Sequence, residues 1–302
     1  MTPQLVTRPL LLGAATLGML LASCGSNEAA ATIRISTIPD KDKTKIAAKT
    51  TKLRDYLEEQ TGLPIRFEPS NDYTAAVNGL LANKLDLVWL GGVTSIDADK
   101  GAEGEAMFVA TRDIDLEFKT YFIANQKALE SGKVKNIDNL EDLKAMAKDL
   151  TLTFGSKKST SGHIMPRHFL VEAGIAPETD FQSAPLYSGN HSATLTDVAN
   201  GSVDIGAINF STYDSADADL KAKAPIFYTT PDYVDYCWIG HKRVGEDKLN
   251  KIKDALLALD KNNPDHAVIL EAWGAGKFVA ADPKQWDGIR GVLDSLPKDF
   301  LK

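Results

Sequence analysis

The order in which short apolar runs and amphipathic helical patterns alternate constrains this chain more than any other feature of its sequence. Residues 32–38 alternate like a strand, residues 44–61 place apolar side chains at helical spacing, and residues 64–68 are strand-like again. A helical pattern over residues 73–83 and a buried, strand-like apolar run over residues 85–90 follow. This β-α-β-α-β order predicts a mostly parallel sheet covered by helices.

A second α/β series follows before the chain returns. Its predicted strands and helices occupy residues 120–125, 150–154, 162–173, 182–186, 191–200, 203–208, 225–229 and 235–241. Beyond residue 244 the pattern is almost wholly helical. A chain that builds half a sheet, crosses to a second α/β unit and returns predicts two lobes, residues 32–122 with 237–302 and residues 123–236. Ligands of open α/β sheets lie beyond the carboxyl ends of the strands, so the lobes would share a cleft that closes by hinge motion.

The composition excludes several classes of protein. Of the 302 residues, 43% are hydrophobic, which is enough for a sizeable core. Asp and Glu outnumber Lys and Arg by 41 to 34, and this balance argues against nucleic acid as the main partner. Two cysteines are too few for a disulfide framework or a zinc site, and His163 and His168 do not share a helix face that would hold a metal.

The first two dozen residues are typical of a targeting signal. Residues 1–23 carry one charge, Arg8, and an apolar run over residues 10–21 that is too short to span a membrane comfortably. The Leu-Ala-Ser-Cys sequence that ends at Cys24 resembles the bacterial lipobox, in which the cysteine is acylated. The sequence therefore predicts a signal peptide over residues 1–23, a tether over residues 24–31, and a periplasmic protein anchored to a bacterial membrane only through lipid on Cys24. An ordinary secretory signal with a nearby cysteine is the alternative.

A polar turn carries the chemistry of the second lobe. It follows a predicted strand, opens a predicted helix, and reads Ser159-Thr160-Ser161-Gly162; we call residues 159–162 the serine turn. Its three hydroxyls, and backbone N–H groups of Ser161, Gly162 and His163, would converge at a helix N-terminus, which suits a tetrahedral oxyanion. A simple helix cap is the alternative, and the Gly-Lys-Ser/Thr spacing of a P-loop is not present.

The serine turn, with Pro166 four residues after its glycine, resembles the PhnD-like phosphonate- and phosphite-binding receptors of ABC transporters. Further similar segments lie at residues 71–73, 85–91, 189–192, 201–207 and 228–235, so the resemblance covers about residues 33–238. It implies a two-lobed α/β periplasmic-binding-protein fold of type II, with mixed sheets flanked by helices and the ligand in the interlobe cleft. It also implies a receptor that delivers a phosphonate, phosphite or phosphate to a membrane permease and its ATPase, without a metal, a cofactor or catalysis.

The resemblance also assigns binding residues. Carried over position by position, the ligand-binding set is Tyr73, Trp89, Ser159, Thr160, Ser161, His191 and Asp235. Asp232 is the alternative to Asp235 as the acid near the return crossover. Family members commonly have tyrosine where this chain has Trp89, and an indole N–H can donate a hydrogen bond but cannot accept one. Each of these residues also has a structural alternative. Tyr73 could pack between sheet and helix, and Trp89 could be a core residue. His191 could simply cap a helix, and the acid could lie on the surface.

The acid gives the predicted site its selectivity. A carboxylate beside a bound anion repels it unless a proton lies between the two groups. A phosphonate or phosphate monoanion carries a P–OH that can donate to the carboxylate, whereas sulfate at neutral pH has none, so Asp235 would select against sulfate.

Two other functions stay open. The same fold could bind another oxyanion such as selenate, or an organic phosphate or amine. A serine hydrolase built from Ser161, His191 and either Asp204 or Asp235 is disfavoured, because the chain has no Gly-x-Ser-x-Gly elbow and Ser161 is one hydroxyl of a cluster.

Overall fold

The computed structural model describes residues 1–4, 32–297 and 300. Both sheets belong to one compact unit within residues 32–297. Cys24, with most of the predicted signal peptide and the predicted tether, lies outside the described residues. Within the ranges that the structure describes, no helix has both the length and the apolar character needed to cross a bilayer.

Eleven strands and twelve α-helices alternate along the described chain. The strands are β1 Ile33–Thr37, β2 Ile65–Phe67, β3 Leu87–Leu90, β4 Ala106–Arg112, β5 Thr120–Ala124, β6 Leu152–Phe154, β7 Leu186–Tyr187, β8 Ile205–Asn209, β9 Ile226–Thr229, β10 Cys237–His241 and β11 Phe278–Ala280. The helices are α1 Lys43–Thr61, α2 Tyr73–Leu81, α3 Gly92–Gly101, α4 Gln126–Glu130, α5 Lys144–Ala147, α6 Met165–Glu172, α7 His191–Ala199, α8 Phe210–Asp214, α9 Ala218–Lys223, α10 Glu246–Leu257, α11 Pro264–Trp273 and α12 Asp287–Ser295.

The first sheet has six strands in the order β11-β4-β10-β3-β1-β2. Its strands β1, β2 and β3 are parallel, whereas β10 runs antiparallel to both β3 and β4, with Trp238 opposite Trp89. Asp42 caps the start of helix α1, and Gly62 ends the helix in a left-handed conformation. The helix covers this sheet because Leu53 and Leu57 face the core.

The second sheet has five strands in the order β7-β6-β8-β5-β9. Here β6, β7 and β8 are parallel, and β5 runs antiparallel to β8 and β9. The two mixed sheets flanked by helices confirm the predicted α/β class, with one hydrophobic cluster on the first sheet and two on the second.

The chain crosses from the first sheet to the second and later returns. Strand β5 pairs wholly within the second sheet from Thr120 onward, and Cys237 begins the return to the first sheet. The predicted lobe boundary after residue 122 cuts through β5, so a division by sheets would place it before Thr120. The division into two lobes itself remains a prediction.

Three elements of the first sheet region were not predicted. Helix α3 consists mainly of small and polar residues, and strands β4 and β11 add to the sheet through antiparallel pairing. Helix α3 has no clear apolar stripe in the sequence because it is buried on several sides. Its start directly after β3 proves important for the candidate site.

The carboxyl ends of the parallel strands converge, as the sequence predicts for this class of fold. Strand β1 leads to Asp40 and β3 leads directly to Gly91, while β6 leads to the serine turn and β8 ends at Asn209. The candidate site lies where these four strand ends meet.

Candidate functional site

The serine turn begins helix α6 with a single π turn, Thr160–Ile164. The Ser159 hydroxyl caps this turn by accepting a hydrogen bond from the Gly162 N–H at 3.0 Å, and the Ile164 N–H reaches the Ser159 carbonyl. All three hydroxyl-bearing residues of the turn are buried. The wider turn at the start of the helix places their hydroxyls together.

His191 faces the serine turn from the start of α7. Its Nε2 lies 3.5 Å from the hydroxyl oxygens of both Ser159 and Ser161. Its Nδ1 accepts the Asn209 backbone N–H at 3.3 Å, so the ring proton sits on Nε2 and points toward the serine turn. Burial lowers the pKa of His191 to about 4, despite the nearby Asp40 carboxylate, so the imidazole is a neutral donor at pH 7.

The N-terminus of α3 enters the site from the first sheet. The Gly92 N–H donates to Asp235 Oδ1 at 2.8 Å, and the Val93 N–H donates to Thr160 Oγ1 at 2.9 Å. A Cβ atom at Gly91 would lie 3.1 Å from Asp235 Oδ1 and 3.2 Å from Thr160 Oγ1, so a glycine permits this close approach. The positive end of the α3 dipole therefore faces both the acid and the serine turn.

Asp235 is the acid that reaches the serine turn. Its side chain is 1% exposed, and among the described residues its Oδ2 atom has no hydrogen-bond partner. Burial raises the pKa of Asp235 to about 7, opposed by the Gly92 N–H and assisted by the Asp115 carboxylate. Asp232, the alternative acid, is 48% exposed and pairs with Lys119 at 3.1 Å on the surface.

Tyr73 completes the donor set from the first residue of α2. Asp72 caps this helix by accepting the Ala75 N–H, which fixes the start of the helix and buries Tyr73. The Tyr73 hydroxyl is buried, and the part of the chain that the structure describes offers it no hydrogen-bond partner. Burial, together with the Asp40 and Asp235 carboxylates, raises the pKa of Tyr73 well above its usual value, so the phenol stays protonated.

Trp89 does not join this group. Its indole, 1% exposed, stacks on Tyr236 at 5.6 Å between ring centres and packs edge-on against Trp273. It lines a cavity of about 670 Å³ whose walls also include Asp40, Asn209 and Tyr236. Aromatic packing against strand β10 holds the ring in the core, so its predicted ligand contact has no support in this geometry.

The structure brings six of the seven predicted residues together and adds others that the sequence did not indicate. Those gathered around the serine turn are Tyr73, Ser159, Thr160, Ser161, His191 and Asp235. The missed contributors are the α3 N-terminus, Asp40 and Asn209. The Gly-Gly sequence after β3 was the available signal for the first of these, because paired glycines at a strand end permit a close backbone approach.

The arrangement supplies hydrogen-bond donors and one acid, which suits binding of a protonated oxyanion. It does not form a hydrolase triad, since His191 Nδ1 accepts a backbone N–H and therefore cannot donate to a carboxylate. Asp204 is tied to Thr151 and Lys133 at the edge of the second sheet. Across residues 32–297 and the other described positions, no cluster of three or more His, Cys, Asp or Glu side chains could hold a metal ion.

Comparison with known proteins identifies the family. The family model for the ABC transporter phosphonate periplasmic substrate-binding protein matches residues 35–286. A probable ABC transporter phosphite binding protein from Prochlorococcus marinus (strain MIT 9301) is 33% identical over 276 residues, covering 88% of this chain and 90% of that protein. A phosphate-import protein from Mycolicibacterium smegmatis is 26% identical over 297 residues, covering 90% of this chain and 88% of that protein.

Solved structures agree with the sequence comparison. The structure of PhnD1 from Prochlorococcus marinus in complex with methylphosphonate has a TM-score of 0.81 at 31% identity, covering 88% of this chain and 99% of that one. A binding-protein component of an ABC phosphonate transporter from Pseudomonas aeruginosa shares the fold, with a TM-score of 0.76 at 21% identity, covering 87% of this chain and 85% of that one. The fold is that of periplasmic binding proteins, and such transport receptors are not a class of enzymes. This chain belongs to the family of periplasmic substrate-binding proteins of phosphonate ABC transporters.

Proposed function

We propose that this protein captures a small phosphorus oxyanion, a phosphonate, phosphite or phosphate, between its two sheets and delivers it to a membrane permease driven by an ATPase. The observation that carries the proposal is the buried Asp235, whose Oδ2 finds no partner among the described residues while its carboxyl group lies beside the Thr160 and Ser161 hydroxyls. An acid in that position needs a proton between itself and any bound anion.

The donor set fits the remaining oxygens of such a ligand. The hydroxyls of Ser159, Thr160 and Ser161, the phenol of Tyr73 and the Nε2–H of His191 are neutral donors, and the start of α3 adds its dipole. These groups explain how a chain with a formal net charge of -7 can hold an anion. Local dipoles supply the attraction, so no strongly basic face is required.

The proton requirement sets the selectivity. Hydrogen phosphate and the monoanions of phosphite and phosphonates carry a P–OH that can donate to an ionised Asp235. Sulfate at neutral pH has no proton to donate, so it can bind beside Asp235 only when the Asp235 carboxyl group is itself protonated. Because the pKa of Asp235 is raised to about 7, we expect discrimination against sulfate to be stronger at pH 8 than at pH 6.

The names of similar proteins support this ligand class without selecting one member of it. They are described as a probable phosphite-binding protein, a phosphate-import protein and a protein in complex with methylphosphonate. These ligands share a tetrahedral phosphorus and differ in one substituent. We infer that this chain also binds an oxyanion with a tetrahedral phosphorus. Selenate is the competing oxyanion, and the binding experiment includes it.

We also propose that the protein binds without catalysis and is held in the periplasm by lipid on Cys24. The His191 tautomer argues against a nucleophilic serine, and the Leu-Ala-Ser-Cys sequence supports cleavage after residue 23. In cells, the wild-type protein should incorporate labelled palmitate, whereas Cys24→Ser should not, because it lacks the thiol that is acylated. Labelling of Cys24→Ser equal to that of wild type, or no labelling of wild type, would contradict the lipid anchor.

Calorimetry of the mature protein tests the ligand assignment. Phosphate, phosphite, methylphosphonate, sulfate and selenate are titrated at pH 6 and pH 8 into wild type, Asp235→Asn and the surface control Asp232→Asn. We expect stoichiometric binding of at least one phosphorus oxyanion without turnover, a preference over sulfate that grows with pH, and a narrower, pH-independent preference in Asp235→Asn. Absence of binding to every phosphorus oxyanion, or tighter binding of selenate, would overturn the assignment.

A further inference from the structure

The C-terminal part of the chain contacts the backbone of the candidate site at Asp235. Trp286 ends the turn Pro283–Trp286, just before α12, and its side chain is 0% exposed. Its indole Nε1–H donates to the backbone carbonyl of Asp235 at 2.6 Å. Trp286 is 51 residues beyond Asp235 in the chain, so this contact joins two distant segments directly at the selective acid.

Three hydrogen bonds hold Asp235. Its backbone N–H donates to the Asp115 carbonyl at 3.0 Å, its backbone carbonyl accepts from Trp286, and its Oδ1 accepts the Gly92 N–H at 2.8 Å. With these three positions fixed, Oδ2 is the carboxyl atom left to face the serine turn. The orientation of the acid therefore depends on its backbone as well as on its side chain.

Trp286 also contacts Gly92, which donates the third of these hydrogen bonds. A Cβ atom placed on Gly92 would lie 3.2 Å from the Trp286 ring, so the indole packs directly on the first residue of α3. Phe108 packs on the other part of the indole, with 5.1 Å between ring centres. One side chain thus fixes the distance between the Gly92 N–H and the backbone of Asp235.

The segment that carries Trp286 is itself anchored. Asp282 and Gln285 form a reciprocal capping box around Pro283, which fixes the turn that ends at Trp286. One turn later, Arg290 pairs with Asp99 of α3 at 2.9 Å. The indole is therefore held in place from both sides of its position in the chain.

We propose that Trp286 is a positioning residue for anion selectivity, acting through Asp235 without touching the ligand; this inference rests on the proposed function. Its N–H holds the backbone of Asp235 so that Oδ2 meets the proton on a phosphorus oxyanion. Loss of that N–H leaves a buried carbonyl unpaired, and the backbone shifts toward other donors. The change weakens the contact that depends on the position of Oδ2 and spares the contacts made by the serine turn.

The test uses Trp286→Phe, which keeps an aromatic ring and removes the N–H. Trp273→Phe is the matched control, because Trp273 is equally buried in the first sheet region and its N–H also donates to a backbone carbonyl, that of Lys49. Affinities for phosphate, phosphite, methylphosphonate and sulfate are measured by calorimetry at pH 8. We expect the ratio of the tightest phosphorus ligand to sulfate to fall about tenfold in Trp286→Phe and to stay within twofold in Trp273→Phe.

A double-mutant comparison separates positioning from general destabilisation. In an Asp235→Asn background, Trp286→Phe should change the same ratio less than twofold, because the acid through which it acts is gone. If Trp286→Phe does not fold, 3-benzothienylalanine at position 286 replaces only the N–H with sulfur and keeps the shape of the ring.

The outcomes distinguish this inference from the function on which it rests. A wild-type protein that binds no phosphorus oxyanion overturns both. A wild-type protein that prefers a phosphorus oxyanion, with the same ratio in Trp286→Phe or in the sulfur analogue, overturns the role of Trp286 alone. Equal losses of phosphorus and sulfate affinity would also overturn it, since they indicate a structural role only.

Discussion

The two halves of the candidate site are built in different ways. The second-sheet half consists of the serine turn and His191, and each lies at the start of a helix. Each of these two helix starts is formed by residues that are close together in the chain. The first-sheet half draws Tyr73, the start of α3 and Asp235 from three separate elements, with Trp286 behind them. Local segments thus supply the three hydroxyls and the imidazole, whereas long-range packing supplies Tyr73, the α3 N-terminus and the acid.

The two halves also use burial differently. In the second-sheet half, burial lowers the pKa of His191 to about 4, which keeps a base neutral. In the first-sheet half, burial raises the pKa of Asp235 to about 7, which keeps an acid protonated until near-neutral pH. Both shifts remove charge from groups that would surround the ligand, so the ligand itself brings the charge that the donors stabilise.

The largest expected effect is on the stability of the ligand-free protein, and it lies in the first-sheet half. The folded protein keeps a proton on Asp235 up to about pH 7, whereas an unfolded aspartate releases it near pH 4. Stability therefore falls as the pH rises from about 4 to 7, and the loss is complete above pH 7, where it is on the order of 4 kcal/mol. Asp235→Asn should be more stable than wild type at pH 8, and this advantage should disappear at pH 4.

Denaturant unfolding at the two pH values measures this difference. Asp232→Asn is the control, because Asp232 is exposed and its substitution should change the free energy of unfolding by less than about 0.5 kcal/mol at either pH. An Asp235→Asn variant less stable than wild type at pH 8 would show that the buried carboxylate is compensated, and the contrast between the two halves would be lost.

The next effect tests the close packing of the second-sheet half. A Cβ atom at Gly162 would lie 2.9 Å from His191 Cε1 and 2.9 Å from Ser159 Oγ, closer than real contacts allow. Gly162→Ala should therefore push His191 away from the hydroxyls and weaken oxyanion binding by about tenfold to 100-fold. Gly291→Ala in α12 is the control, since nothing lies within 4 Å of the added methyl group. Equal affinities of the two variants in calorimetry would contradict the proposed packing.

The difference between the halves also explains what the sequence could predict. The serine turn was predicted because capping residues, glycines and hydroxyls at a helix start form a pattern within a few residues, whereas His191 was assigned through the family resemblance. The positions of most strands along the chain, and of helices such as α1, α2 and α7, were predictable from periodicity. Asp235 was named together with Asp232, and only burial in the assembled structure separates them.

What the sequence could not predict depends on distant partners. Trp89 carries the right polar group, yet its packing on Tyr236, which directly precedes β10, and on Trp273 of α11 depends on segments far along the chain. The N-terminus of α3 lacks a side-chain cap, so no capping signal marks it. Trp286 lies 45 residues after the end of the last predicted strand, residues 235–241, and no local sequence pattern connects it with Asp235.

The smallest expected effect concerns the contact that joins the halves at the surface. Lys158, next to the serine turn, pairs with Asp97 of α3 at 2.9 Å, with side chains 23% and 29% exposed. A partly exposed pair contributes little, so Lys158→Ala should weaken binding less than about fivefold, and the effect should shrink as salt is added. Lys133→Ala, which breaks the Lys133–Asp204 pair inside the second-sheet half, should leave affinity unchanged because that pair joins no element of the first sheet. If both variants lost affinity equally, the cross-half position of Lys158 would have no special role, and buried contacts such as those from the Val93 N–H to Thr160 and from the His191 N–H to the Asp40 carbonyl would hold the halves together.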